Sequence, residues 1–329
     1  MKRREFITLI GGATAAWPLA ARAQQGEGVR RIGVLMGLAE SDPEGHSRAA
    51  AFRQGLEQLG WIEGRNVRIE LRWAAGDVDR ARSYAAELVA FAPDVIFAGA
   101  TSALAALQPA TKTIPIVFAQ VTDPVGAGFV TSLGRPGGNV TGFTQYEYAV
   151  GAKWLELLKE IAPRVARVAL IYDPANTSSA GYLRTIELGT PSLAVHVSTY
   201  AVRETAEFER VIDAFAAEPN GGLIILPSVS ATIHREVIVA RVAKHHLPAV
   251  YPYRLFATSG GLASYGVDNI DMYRRAATYV DRILKGDSPS ELPVQQATKF
   301  EMVINLKTAR ALGVEVPITL LARSDEVIE

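Results

Sequence analysis

Two stretches of this chain end an apolar run in the same way. Residues 116–124 read IVFAQVTDP and residues 168–174 read VALIYDP, so Asp123 and Asp173 each stand between a strand-like run and a proline. A carboxylate in that position has three uses. It can act as a general acid or base, it can hold a cationic group of a ligand, or it can accept a backbone N–H and cap a turn or helix whose first residue is proline. Histidine would favour the first use. However, His46, His196, His234, His245 and His246 stand at none of the ends where an apolar run gives way to polar residues, and they form no HExxH or other metal-ligand spacing. Cysteine is absent, which removes thiolate catalysis, disulfides and cysteine-bound zinc. No GxxxxGK[ST] phosphate loop and no GxSxG nucleophile elbow occurs, and Gly126-Ala127-Gly128-Phe129-Val130-Thr131 lacks the last glycine of a dinucleotide fingerprint. Neither an enzyme, a metal site nor a cofactor is expected.

The elements that must position such groups alternate regularly. Runs at 30–36, 67–73, 93–100 and 114–120 read as strands, with amphipathic helices at 46–60, 78–91 and from 102. In the first helix Ala50, Phe52, Leu56 and Leu59 recur at near-helical spacing. The alternation restarts with a helix at 149–161. Strands follow at 167–172, 194–200, 221–228, 248–253 and 261–268, and helices at 178–188, 204–217, 231–245 and 269–285. Strand–helix alternation twice over predicts an α/β chain of two Rossmann-like lobes with parallel sheets. The Gly- and Pro-rich stretch 134–145 reads as the first connection between them. The altered pattern of the tail predicts further crossings and hence a multi-strand hinge. The expected division is residues 29–143 with about 266–300 in one lobe, and 144–265 with about 301–329 in the other.

Residues 1–23 read as a cleaved export signal. Lys2, Arg3 and Arg4 are followed by an apolar stretch and by Ala21-Arg22-Ala23, a small-x-small cleavage pattern. Arg3-Arg4 suits the twin-arginine type. Later apolar runs fall short of the ~18 residues of a membrane span, so a periplasmic protein without a membrane anchor, and a monomer, is expected. The formal net charge is zero and no long basic run occurs, which gives nucleic acid no electrostatic footing.

In open parallel sheets ligands bind beyond the carboxyl ends of the strands. Those ends supply Ser41, Thr101, Ser102, Gln120, Thr122, Asp123 and Tyr172, then Asn176, Thr177, Ser178, Ser228, Tyr253, Tyr265 and Asp268. Hydroxyls, amides, carboxylates and tyrosines dominate, and Arg and Lys are almost absent. This set suits a small polar or zwitterionic ligand with an aromatic part rather than a phosphorylated one. Capping competes at Asp123, Asp173 and Asp268, and core packing competes at the tyrosines.

The segments RIGVLMG (31–37), FRQGLEQLGWIEGRNV (52–67), PDVIFAGATSAL (93–104), IPIVFAQVTDPVGAGFVTSLGRPGGNVTG (114–142), ALIYDPANTSS (169–179), ASYGVD (263–268) and FEMVINLKTARALGVEVP (300–317) resemble the substrate-binding proteins of ABC transporters for tryptophan and tyrosine. The resemblance runs through most of the chain beyond the signal. It implies a type I periplasmic binding-protein fold that closes on a small solute and delivers it to an ABC permease with its ATPase. It also implies ligand contacts at Thr101, Ser102, Thr122, Asp123, Asn176 to Ser178, Ser228 and Tyr265 to Asp268. On that likeness Asp123 or Asp268 would meet a ligand ammonium, and Ser102, Thr177 and Ser178 its carboxylate. The segment PSVSAT (227–232) lacks the acidic or amide residues that some relatives carry there, which leaves other small organic solutes open. A sensing subunit for a membrane receptor and an exported α/β enzyme are the alternatives.

Overall fold

The computed structural model describes residues 28–329. The export signal predicted for residues 1–23 lies outside the described residues.

The first sheet begins with β1 (Arg30–Met36), α1 (Pro43–Gln58), β2 (Val67–Trp73) and α2 (Val78–Ala90). It continues through β3 (Val95–Gly99), α3 (Thr101–Ala110), β4 (Ile116–Val121) and β5 (Val140–Thr144). The second sheet is built from α4 (Val150–Ile161), β6 (Arg167–Tyr172), α5 (Ser179–Leu193), β7 (His196–Ala201) and α6 (Thr205–Phe215). There follow β8 (Gly221–Ile225), α7 (Val229–Ile233), α8 (Arg235–Lys244), β9 (Ala249–Tyr251), α9 (Arg254–Thr258) and β10 (Ala263–Val267). The chain ends in α10 (Asn269–Leu284), β11 (Gln295–Gln296), β12 (Phe300–Asn305), α11 (Leu306–Leu312), α12 (Ile318–Leu321) and β13 (Glu326–Ile328).

The strand order is β2-β1-β3-β4-β5-β11 in one sheet and β7-β6-β8-β9-β10-β12-β13 in the other. The first sheet is parallel throughout; in the second only the β10–β12 pairing is antiparallel. Strands β3, β4, β5 and β8 are buried along their whole length, as parallel strands covered by helices on both faces must be. Helix α4 shows how a helix earns its place on such a sheet. Trp154, Leu155, Leu158 and Ile161 recur at three- and four-residue spacing and are all within 1% of full burial, each contributing about 1.5–3 kcal/mol of apolar burial.

Three elements depart from the sequence reading. The stretch 134–145 is not all connection, since Val140–Thr144 forms β5 of the first sheet. At its centre a Cβ on Gly142 would stand 2.1 Å from the Phe118 carbonyl oxygen, so glycine is what lets the strand lie against β4. The helix expected at 231–245 starts earlier and divides at His234, because the Ser228 hydroxyl accepts the Ala231 N–H and begins α7 there. The 46–60 helix starts at Pro43, where Asp42 accepts the Glu44 N–H and the proline takes the first helical position.

The chain passes between the lobes three times, at 145–149, at 268 and at 297–299, because α10 packs on α1 and β4 of the first sheet and β12 returns to the second. Side chains tie these passages together. Lys299 Nζ meets Asp268 at 2.7 Å, and Gln296 Nε2 donates to Glu147 at 2.6 Å. The Tyr146 hydroxyl donates to the Pro252 carbonyl and accepts the Val267 N–H. Among the described residues no helix is long and apolar enough to cross a membrane.

Candidate functional site

Both sheets reverse their order beside their first strand, between β1 and β3 and between β6 and β8. These are the switch points where open α/β sheets leave a crevice. The two crevices face one another across a cavity of about 310 Å³. The first lobe lines it with Leu38 after β1, Thr101 and Ser102 after β3, and Gln120 after β4. The second supplies Asp173 and Ala175 to Thr177 after β6, Ser228 after β8 and Tyr253 after β9.

The lobes touch around this space. Arg235 pairs with Asp42 at 2.7 Å, with both side chains largely buried. Arg203 Nη2 donates to the Gly76 carbonyl at 3.0 Å, and Ser178 Oγ to the Thr122 carbonyl at 3.0 Å. The conformation is therefore closed.

Half of the residues picked from the strand ends line the cavity: Thr101, Ser102, Gln120, Asn176, Thr177, Ser228 and Tyr253. Thr101 and Ser102 open α3, whose preceding residue Ala100 offers no side-chain cap, so the first N–H groups of that helix are left to the cavity. Asn176 and Ser228 are held in place by their neighbours. Asn176 donates to the Pro227 carbonyl at 2.7 Å and accepts the Ser178 N–H, and Ser228 caps α7. Gln120 has φ of +62°, at a register shift between β4 and β5. A bulge of this kind re-aims a side chain at some cost in backbone strain.

The others lie elsewhere. Ser41 is exposed on the loop after β1. Thr122 and Ser178 are buried in the contact between lobes, where Thr122 Oγ1 bonds the Tyr182 hydroxyl at 3.0 Å and accepts from Gln145 Nε2 at 2.9 Å. Asp123, at φ +40°, accepts the Gly126 N–H and closes its own turn. Beside it the Tyr148 hydroxyl is pushed up to about 12, first by burial and then by the Asp123 charge. Tyr172 packs half-buried against the core, and Tyr265 stacks on Phe300 at 5.7 Å. Asp268 caps α10 and pairs with Lys299. Burial works to raise its pKa, but Lys299 and the Asp271 N–H outweigh this and hold it below the ordinary value.

Neither aspartate singled out for a ligand ammonium reaches the cavity. Asp173 does, and it is the only carboxylate in the lining. Burial raises its pKa, against the opposing pull of the Ala175 N–H and Arg203. Its Asp-Pro signal was visible, but a cap explains the same residues, and its Oδ1 does accept the Ala175 N–H at 2.8 Å.

Arginine also enters the site, contrary to the strand-end composition. Arg203 follows the edge strand β7 and stands 3.5 Å from Asp173. Arg82, on α2, is exposed and paired with Asp79. Arg48, on α1, is 3% exposed. Its Nε donates to Glu44 at 2.8 Å and its Nη1 to Gln120 Oε1 at 2.6 Å, and its guanidinium lies 5.8 Å and 5.9 Å from the rings of Tyr253 and Tyr273. Burial would lower its pKa, but Glu44 and the two tyrosines outweigh that and the net shift is upward, so the group is a permanent cation. The signal for Arg48 was its position four residues before Phe52, on the apolar face of an amphipathic helix. Among the described residues no cluster of three His, Asp or Glu could hold a metal ion.

Known proteins match this architecture. The family model for ABC transporter substrate binding proteins matches residues 40–328. A tyrosine-binding protein of Clostridioides difficile (strain R20291) is 29% identical over 265 residues, covering 80% of this chain and 76% of that protein. The crystal structure of an ABC domain in complex with L-Trp from Streptococcus pneumonia superposes with a TM-score of 0.85 at 26% identity, over 92% of this chain and 100% of that one. A conserved domain protein from Vibrio cholerae O1 biovar eltor gives a TM-score of 0.85 at 29% identity, over 91% and 100% of the two chains.

Proposed function

The chain belongs to the ABC transporter substrate-binding protein family, with the type I periplasmic binding-protein fold, and from that premise we propose that it captures an aromatic amino acid or a related zwitterionic aromatic solute between its lobes. It is a solute-binding protein of an ABC transporter rather than an enzyme. The observation that carries the finer reading is the cavity itself, which is amino-acid-sized, is closed by both lobes and is lined by groups of opposite charge. Asp173 is placed to meet an ammonium, the open N-terminus of α3 with Thr101 and Ser102 suits an acceptor group, and Tyr253 adds aromatic surface to the wall. The relatives named for tyrosine and L-Trp support the same class.

In this reading the protein works as a monomer outside the cytoplasm after loss of residues 1–23, and its closed form docks on the permease. Closure requires only that the solute bind the closed state more tightly than the open one. The lobe boundaries near 144, 266 and 300 belong to the proposal, supported by the sheet membership of β5, β10, β11 and β12. The test is native mass spectrometry for co-purified solute, followed by thermal shift with amino acids, aromatic acids, sugars and nucleosides. Stabilisation by aromatic amino acids or aromatic acids is expected; a response confined to sugars or nucleosides would sink the solute class.

A further inference from the structure

Four buried side-chain atoms in the described residues have no hydrogen-bond partner: Arg48 Nη2, Tyr251 Oη, Ser264 Oγ and Asn269 Oδ1. Only Arg48 among these residues also lines the cavity. Everything else about this side chain is fixed. Glu44 holds Nε, Gln120 holds Nη1, and two tyrosine rings flank the guanidinium. Gln120, which also lines the cavity, spends its Oε1 on Arg48 and so fixes the guanidinium there.

A buried, charged donor left without a partner is costly, and a fold keeps one where a ligand completes it. The lining carries three guanidinium groups, of which Arg82 pairs with Asp79, Arg203 stands beside Asp173 and Arg48 has its Nε on Glu44, so what is left unanswered is the Nη2 donor of Arg48. A neutral polyol offers that donor only a neutral acceptor, whereas a carboxylate gives it a charge-assisted bond.

Resting on the interlobe binding reading above, we infer that Arg48 is the specificity-determining residue of the cavity: its Nη2 selects solutes that present a carboxylate. Gln120 acts as a positioning residue. Its left-handed backbone and the register shift at the end of β4 aim its amide oxygen at Nη1 and so orient the fork.

The test measures affinity by calorimetry on the purified full chain for matched pairs: L-tyrosine and L-tryptophan with their amides, phenylacetate with phenylacetamide, and glutarate with glutaramide. Glucose, ribose and adenosine serve as neutral solutes. Wild type is compared with Arg48→Gln and, in case an unpaired Glu44 prevents folding, with the double variant Glu44→Gln/Arg48→Met. The expected result is that a carboxylate binds about tenfold to a hundredfold more tightly than its amide in the wild type, and that both variants collapse this ratio. A merely structural Arg48 would weaken acid and amide equally and leave the ratio intact, which overturns the inference. Binding by glutarate alone, with an Arg48-dependent ratio, upholds the inference and removes the aromatic solute class. Binding by neutral solutes alone, or by none of the panel, overturns both.

Discussion

At the scale of the residue, the site turns on which carboxylate is free to act. Asp123 and Asp268 are spent on local structure, while Asp173 faces the cavity with a raised pKa. A raised folded-state pKa means that Asp173 disfavours the fold once it ionises. Its contribution is most favourable below the unfolded value of about 3.9 and is lost as pH rises through the folded value. Asp173→Asn is therefore expected to leave the unliganded protein no less stable at pH 7. Its affinity for an aminated solute should fall by about tenfold or more, and calorimetry on the free protein and with L-tyrosine checks both. In the wild type the same affinity should decline on acidification at a higher pH than an ordinary carboxylate would give. Asp268 has the opposite sign. Its lowered pKa contributes stability above about pH 4 that disappears as pH falls through the folded value. Asp268→Ala should cost about 1 kcal/mol through its cap in urea denaturation at pH 7, with the deficit shrinking in acid and solute affinity unchanged. The sequence made these carboxylates visible but could not rank them, because capping and ligand binding require the same residue types at the same places. Arg48 was legible only as a charge on the wrong face of a helix.

At the scale of the element, α1 carries Arg48 and is held by its contact with α10. A Cβ on Gly55 would stand 2.5 Å from the Arg274 carbonyl and 2.8 Å from Ala277 Cβ, so the two helices meet backbone to backbone there. Gly55→Ala is expected to cost about 1–3 kcal/mol and to weaken solute binding too, since moving α1 displaces the guanidinium. Gly189→Ala, in α5 with only Leu155 nearby at 3.7 Å, should instead stabilise by about 0.5–1 kcal/mol. Chemical denaturation and calorimetry on the pair would separate a general glycine effect from this close approach. Most helices and strands could be read from periodicity. The short β11, β13, α9 and α12 escaped that reading, and so did β5, whose VTGFT follows directly on the glycine-rich GRPGGN and reads as a loop until its burial beside β4 is known. The division of α7 from α8 depended on the Ser228 cap, which no apolar period reports.

At the scale of the whole molecule, the parallel two-lobe plan followed from alternation alone, whereas the cavity wall did not. The edge strands β2 and β7 lead into Gly76 and Arg203, which meet across the cleft. The Asp42–Arg235 pair lies between the lobes and is largely shielded from water when they are closed. Separating the lobes returns both groups to solvent, so removing one charge should penalise the closed form and spare the folding of each lobe. Asp42→Asn keeps the α1 cap and drops the charge. It and Arg235→Gln are expected to lower solute affinity by about tenfold or more and to enlarge the radius of gyration in small-angle scattering, with secondary structure by circular dichroism unchanged. The three passages between the lobes add a further constraint. Asp268 meets Lys299 and Glu147 meets Gln296, so the three passages are joined side to side. Segments joined in that way resist sliding past one another more than bending, so the expected opening is a swing of one lobe on the other and not a slide, which returns the same two surfaces to the same register.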